Sequence, residues 1–259
     1  MAEHKRSTGR LVATLFAFGL AACQAESLLA GAFTVSPVQV VLSGRRMSAM
    51  VRVVNESADV ARLQVTAFAW EQAPDGEMRL SPTEDLVFFP ALFELAAGDD
   101  RSVRIGVTAA AQGVERSYRV FFEELPAPAS ESTAPTVRML LRMGVPVFVE
   151  PAGPRRTSAI AGVTLAASEL SWTVRNTGNA HFTLEHVTVE GLDDNSAQVF
   201  RRRFEGWYVL AGGERAFGLK LGDDECRSAR RVRITAATDA GGAEATIEVP
   251  AGACTTATP

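Results

Sequence analysis

Lysine is nearly missing from this chain: Lys5 and Lys220 are the two lysines among 259 residues, and arginine carries the remaining fixed positive charge. The formal net charge is −4, which excludes a general affinity for nucleic acid or for anionic membrane. Histidine is as scarce. His4 falls in the amino-terminal segment, and the spacing of His181 and His186 on a strand turns them to opposite faces. Shared metal ligation is therefore not expected, and an exposed or capping role suits each. Residues 33–150 hold no histidine, no cysteine and no glycine-rich phosphate loop. The acidic runs Glu123-Glu124 and Asp223-Asp224-Glu225 place neighbours on opposite sides of a strand, whereas acid–base chemistry needs groups that converge. No catalytic residue, metal or cofactor is expected, and the chain does not read as an enzyme.

Long apolar runs are absent except near the start. Lys5, Arg6 and Arg10 precede a short apolar run over residues 11–22, and Ala30-Gly31-Ala32 supplies a small-residue end. This is the pattern of a signal peptide over residues 1–32, too short for a comfortable span. Leu20-Ala21-Ala22-Cys23 also resembles a lipobox, which would tether the protein through Cys23; cleavage after Ala32 would discard that cysteine. Cysteine is rare too. With Cys23 removed, Cys226 and Cys254 remain, and an even pair in an exported chain reads as a disulfide. Closing a loop of this length contributes about 3 kcal/mol.

What the chain does have is alternation. Apolar residues recur at every second position in short runs separated by turns, with no sustained helical period. Seven runs are expected as strands between residues 33 and 150: 35–42, 47–55, 60–70, 86–95, 102–107, 118–125 and 137–149. Pro74-Asp75-Gly76 and Ala97-Gly98-Asp99-Asp100 turn the chain between them. Seven short strands in this length make an immunoglobulin-like sandwich. Pro151-Ala152-Gly153-Pro154 reads as a stiff hinge, and residues 151–259 repeat the style. The expected fold is all-β, with two immunoglobulin-like β-sandwich domains in tandem at residues 33–150 and 151–259.

One run stands apart. Val137, Met139, Leu141, Met143, Val145, Val147 and Val149 alternate without a break, a strand of roughly 43 Å where the mean strand has about 5–6 residues. Pro146 within it points to an edge or bulge. Two readings are open. The row lies wholly inside its own sandwich, or it is lent to another protein's incomplete sheet by β-augmentation.

Several segments carry a resemblance that bears on this choice. Ser36-Pro37-Val38, Val53-Val54-Asn55, Leu92-Phe93-Glu94-Leu95-Ala96-Ala97-Gly98 and Ser102-Val103-Arg104-Ile105 resemble the amino-terminal domain of the periplasmic chaperones of the chaperone–usher pilus pathway. Glu115-Arg116-Ser117-Tyr118-Arg119 and Glu124-Leu125-Pro126 match just before the variable loop. In the second half, Asn176-Thr177-Gly178-Asn179-Ala180-His181 and Trp207-Tyr208-Val209-Leu210-Ala211-Gly212-Gly213 are similar to the family as well. The resemblance implies two domains set as a boomerang, a periplasmic location, and pilus or fimbrial subunits and an outer-membrane usher as partners. It implies that residues 137–151 take the place of the donor strand, with Val137, Met139, Leu141, Met143 and Val145 filling the subunit's groove. Whether the free protein caps this strand by forming a homodimer stays open.

The chain also departs from the family. Many members bind the subunit's terminal carboxylate with an arginine on the first strand and a lysine on the donor strand. Gln39 and Pro146 occupy those positions here, as in a divergent, archaic or spore-coat-like branch. Arg104, Arg119 and Arg142 are the candidates to replace the pair, since arginine binds carboxylate bidentately. Glu150 stands where a basic residue is common. The rival reading is an exported or lipid-anchored structural module of a surface fibre. A carbohydrate-binding sandwich would want clustered exposed aromatics, and Trp70, Trp172 and Trp207 read as scattered core residues.

Overall fold

The computed structural model describes residues 33–126 and 139–254. The expected signal peptide with Cys23, and Val137 of the expected donor strand, lie outside the described residues. Among the described residues the first half holds ten strands: β1 (Phe33–Ser36), β2 (Val40–Leu42), β3 (Ser48–Asn55), β4 (Ala61–Gln72), β5 (Met78–Pro82), β6 (Leu86–Phe89), β7 (Leu92–Leu95), β8 (Asp100–Val107), β9 (Arg116–Glu124) and β10 (Arg142–Val149). One sheet runs β1-β3-β8-β6, and the facing sheet runs β2-β10-β9-β4-β5 with β7 also on β4. Alternate residues of both sheets, including Val53, Leu63, Ile105, Phe122 and Val147, close a buried core between them.

Two expected single strands are each two. The run over residues 35–42 breaks at Pro37, so that β1 pairs with β3 in one sheet and β2 pairs parallel with β10 in the other. The run over 86–95 breaks at Pro90 in the same way, β6 joining β8 and β7 joining β4. A proline has no N–H to continue a ladder, and the chain changes sheet there. The expected turn at residues 74–76 adds β5 as a hairpin partner of β4, with Gly76 at φ +88°.

Tyr118 of β9 anchors the loop before β6 by donating its hydroxyl proton to Asp85 Oδ2 at 2.7 Å. Burial first, and then this bond, push the phenol above its ordinary value of 10.0. The unfolded chain loses that proton before the folded one does, so stability is fully present below about pH 10 and declines as pH rises beyond it. Tyr118→Phe is expected to cost about 1 kcal/mol at pH 7 through the lost bond. In urea denaturation at a series of pH values, the same variant should flatten the alkaline decline.

The second half has its own core, around Leu170, Trp172, Phe182, Val187 and Ile234. Its elements are β11 (Ser158–Ala166), β12 (Glu169–Asn176), β13 (Phe182–Leu192), β14 (Gln198–Glu205), β15 (Tyr208–Val209), β16 (Glu214–Lys220), α1 (Asp223–Ser228), β17 (Arg231–Thr238) and β18 (Gly241–Glu248). They form sheets β11-β12-β16 and β14-β13-β17-β18, with β15 on β13. The acidic run at residues 223–225 is the first turn of α1, where negative charge suits the helix dipole, and Glu225 accepts the Gly222 N–H. Cys226 on this helix is bonded to Cys254, with Cα atoms 5.5 Å apart. Replacing both cysteines by serine is expected to lower stability by about 3 kcal/mol, read as a drop in the urea midpoint with the β-sheet circular dichroism retained.

Candidate functional site

Among the described residues, β10 is paired along the whole of one edge and along only part of the other. Its inner neighbour β9 pairs along the whole strand, from Arg142↔Glu123 to Val149↔Arg116. Its outer neighbour β2 covers residues 147–149 alone. The Glu124 N–H donates to Leu141 O at 2.9 Å, which ties the odd-numbered residues of β10 to β9. The even-numbered residues therefore aim their backbone groups at the other edge. Over residues 142–146 nothing among the described residues pairs with that edge, and Pro146 has no N–H to offer there.

The side chains divide along the same line. Met139, Leu140 and Leu141 are 69%, 46% and 38% exposed, and Met143 is half-buried against the core. Val145 is 3% exposed and belongs to the core of its own sandwich. Two expectations are corrected here. The described strand begins at Arg142 and has 8 residues, because β9 ends at Glu124 and residues 139–141 run past the body of the sheet. Val145 cannot fill a partner's groove, because it packs between the two sheets of the first domain, as Val147 and Val149 do.

The outer face of this sheet is aromatic and cationic. Arg142 lies over the Phe121 ring at 3.9 Å and pairs with Glu123 Oε2 at 3.6 Å. Phe121 also packs across Gly144, where a Cβ would come within 2.8 Å of its Cε1; no larger residue fits without displacing the ring. Next along β9 is Arg119, 8% exposed, which crosses the strand to donate from Nη1 to Gly144 O at 3.1 Å. Its guanidinium carbon is 4.6 Å from the Trp70 ring and 5.4 Å from the Trp207 ring. No carboxylate pairs with it among the described residues, and its Nε and the Trp70 Nε1 are buried N–H groups without an acceptor. Burial lowers the Arg119 pKa, disfavouring its charged form. Arg104 is elsewhere. It is exposed on β8 in the opposite sheet and donates from Nε to Ser48 Oγ at 3.2 Å.

Trp207 reaches this point from the second half of the chain, through a polar and aromatic interface. Gln72 accepts from Leu210 N at 3.3 Å and donates to Tyr208 O at 2.9 Å. The Tyr208 hydroxyl meets Gln39 Oε1 at 3.2 Å. His181, expected in an exposed or capping role, is buried: its Nδ1 lies 2.8 Å from Glu115 Oε1 and its ring stacks on Phe148 at 3.5 Å. Trp70 and Trp207 are likewise not scattered but stand 5.8 Å apart. His186 lies away from this cluster on β13, and Glu150 pairs with Arg156 across the hinge.

Residues 32–155 match the model of the pili and flagellar-assembly chaperones, PapD N-terminal domain. The amino-terminal domain belongs to this chaperone family. Solved pilus chaperones share the fold across both halves. The class 5 fimbriae chaperone CfaA aligns with a TM-score of 0.56 at 18% identity, over 85% of this chain and 100% of its own. The CsuC–CsuE chaperone–tip adhesion subunit complex from the archaic chaperone-usher Csu pili of Acinetobacter baumannii gives 0.56 at 17%, over 84% and 98%. The Salmonella enterica SafA pilin–SafB chaperone complex gives 0.53 at 15%, over 84% and 97%. At these identities the likeness establishes the fold, two immunoglobulin-like domains, and nothing finer. No curated protein matches the chain. For a pilus chaperone, then, the expected arginines part company: Arg119 and Arg142 share one face beside the open edge, and Arg104 does not join them. Trp70, Gln72 and the Glu115–His181 pair went unnoticed as site residues. The nearest signal was the run at residues 207–213, which resembled the family without showing what it touched.

Proposed function

We propose that this chaperone is periplasmic, that it captures pilus subunits lacking a strand by lending them the edge of β10, and that it passes them to an outer-membrane usher. The observation that carries the proposal is a strand edge, open among the described residues, that runs out into exposed apolar side chains at one end and meets at the other a buried arginine with no carboxylate partner among those residues. A strand added to this edge cannot continue past Pro146, because β2 occupies the ladder from Val147 onward. A chain that stops there places its last residue beside Gly144 and Pro146, where Arg119 lies. A terminal carboxylate suits that cation and the acceptorless N–H groups around it. A chain that ends at Arg119 and also covers Met139 and Leu141 must run parallel to β10.

Met139, Leu141 and the half-buried Met143 are the residues that enter the subunit's groove, together with Val137 beyond the described residues. Full burial contributes about 1.5–3 kcal/mol for each before ordering costs. Gln39 has exchanged the family's charge for a bond to Tyr208, and Arg119 serves as the anchor in its place. Until a subunit arrives, the same edge can pair with that of a second copy, which makes a self-capped homodimer part of the proposal.

Co-expression in a bacterial periplasm tests the reading. The immunoglobulin-like secreted proteins encoded beside this chain are produced with and without it, and complexes are isolated by a tag on the chaperone. A 1:1 complex that rescues an otherwise degraded partner is expected. If every such partner accumulates equally well alone and none co-purifies, the chaperone reading fails and the fibre-module reading replaces it.

A further inference from the structure

The arginine proposed as the anchor is gripped by two halves of the molecule. Trp70 comes from β4, next to Arg119's own strand, whereas Trp207 comes from the segment between β14 and β15. That segment is fastened hard to its own domain. Leu184 N–H donates to Trp207 O at 2.8 Å, and the Gly206 N–H donates to Glu185 O at 3.0 Å. A Cβ on Gly206 would fall 1.8 Å from Leu184 O, so the backbone passes where only glycine fits. Just beyond the ring, Tyr208 and Leu210 are bonded to Gln39 and Gln72 of the first domain. Trp207 is thus aimed across the domain boundary by a rigid mount on one side and held there by three hydrogen bonds to the other.

We infer that Trp207 is a positioning residue for the carboxylate anchor, so that the anchor is complete only while the two domains are docked. This rests on the reading of Arg119 given above. The ring closes one side of the guanidinium to water and fixes its plane, which strengthens a charge-assisted bond to an incoming carboxylate. Linkage makes the effect reciprocal: a carboxylate bound at Arg119 tightens the contact between the domains by the same factor.

The test uses two labelled probes, an N-acetylated peptide of alternating valine and serine with a free carboxylate and the same peptide ending in an amide. Binding is read by fluorescence anisotropy. The wild-type protein is expected to prefer the acid, and Arg119→Gln to lose that preference. Trp207→Leu should weaken the acid about tenfold, roughly 1.4 kcal/mol, and leave the amide unchanged, while Trp207→Phe keeps most of the preference. If Trp207→Leu retains the full preference, or weakens both peptides alike, the positioning role is overturned and the anchor stands. If Arg119→Gln also retains it, or neither peptide binds the wild-type protein, the anchor itself is overturned.

Discussion

Replacing Met139 and Leu141 together by aspartate is expected to abolish subunit capture while leaving the free protein folded. Both side chains are exposed, and neither belongs to the core of the first domain. Their loss removes no internal packing, and two new carboxylates at an exposed chain segment stay hydrated. In the proposed complex the same positions enter a partner's apolar groove. The substitution forfeits about 1.5–3 kcal/mol at each and adds the cost of desolvating two charges. Capture should fall by more than about a thousandfold, which in co-purification is disappearance of the complex. The melting temperature should move by no more than about 2 °C. Val145→Asp makes the contrast, since it buries an unpaired charge between the sheets and should unfold the domain. Unimpaired capture by the double variant would remove the donor strand from this edge. Collapse of the fold would show that residues 139 and 141 are structural after all.

Arg119→Met should separate stability from function in the opposite sense. A buried guanidinium without a carboxylate is a burden on the free protein, and its lowered pKa expresses the same cost. Exchanging such a charge for an apolar chain of similar length is commonly neutral or stabilising. The free variant is therefore expected to melt at the wild-type temperature or above it, despite losing its bond to Gly144. Complex with a subunit should weaken by at least about a hundredfold, the scale of one charge-assisted pair. Thermal melts of the free protein and pull-down of a co-expressed client measure the two effects. A variant that melts well below the wild type and still captures its client would make Arg119 a structural residue.

How much of this was legible in the sequence follows from where each feature is encoded. The all-β class rests on period-two alternation, which is local, and the Cys226–Cys254 bond on counting, which is global but simple. The position of the edge strand was also visible, as an unbroken alternating row. Its division was not. Val145 and Met139 have the same parity and the same apolar character, and one is core while the other is exposed because β9 ends and β2 begins where they do. The breaks at Pro37 and Pro90 were present as residues, yet alternation continues across a change of sheet and hides it. Arg119 stood among three arginines that nothing in the sequence could rank. What singles it out is burial against Trp70 and Trp207, and those two rings meet only once both domains have folded and docked.

The short parallel pairing of β2 with β10 has a further consequence, which concerns counting. Because β2 closes the ladder at Val147 and Arg119 sits just before it, an incoming chain held by the proposed anchor would be measured from its last residue. Side chains on a strand alternate with a period of two, so the number of residues between that terminus and the apolar row decides which face they show. A client extended by one residue at its carboxyl end would present the wrong face to Met139 and Leu141. Extension by two would restore the face and move it by one pair. Anchored as proposed, the edge would work as a ruler that reads parity, and it would refuse a strand of suitable composition on length alone.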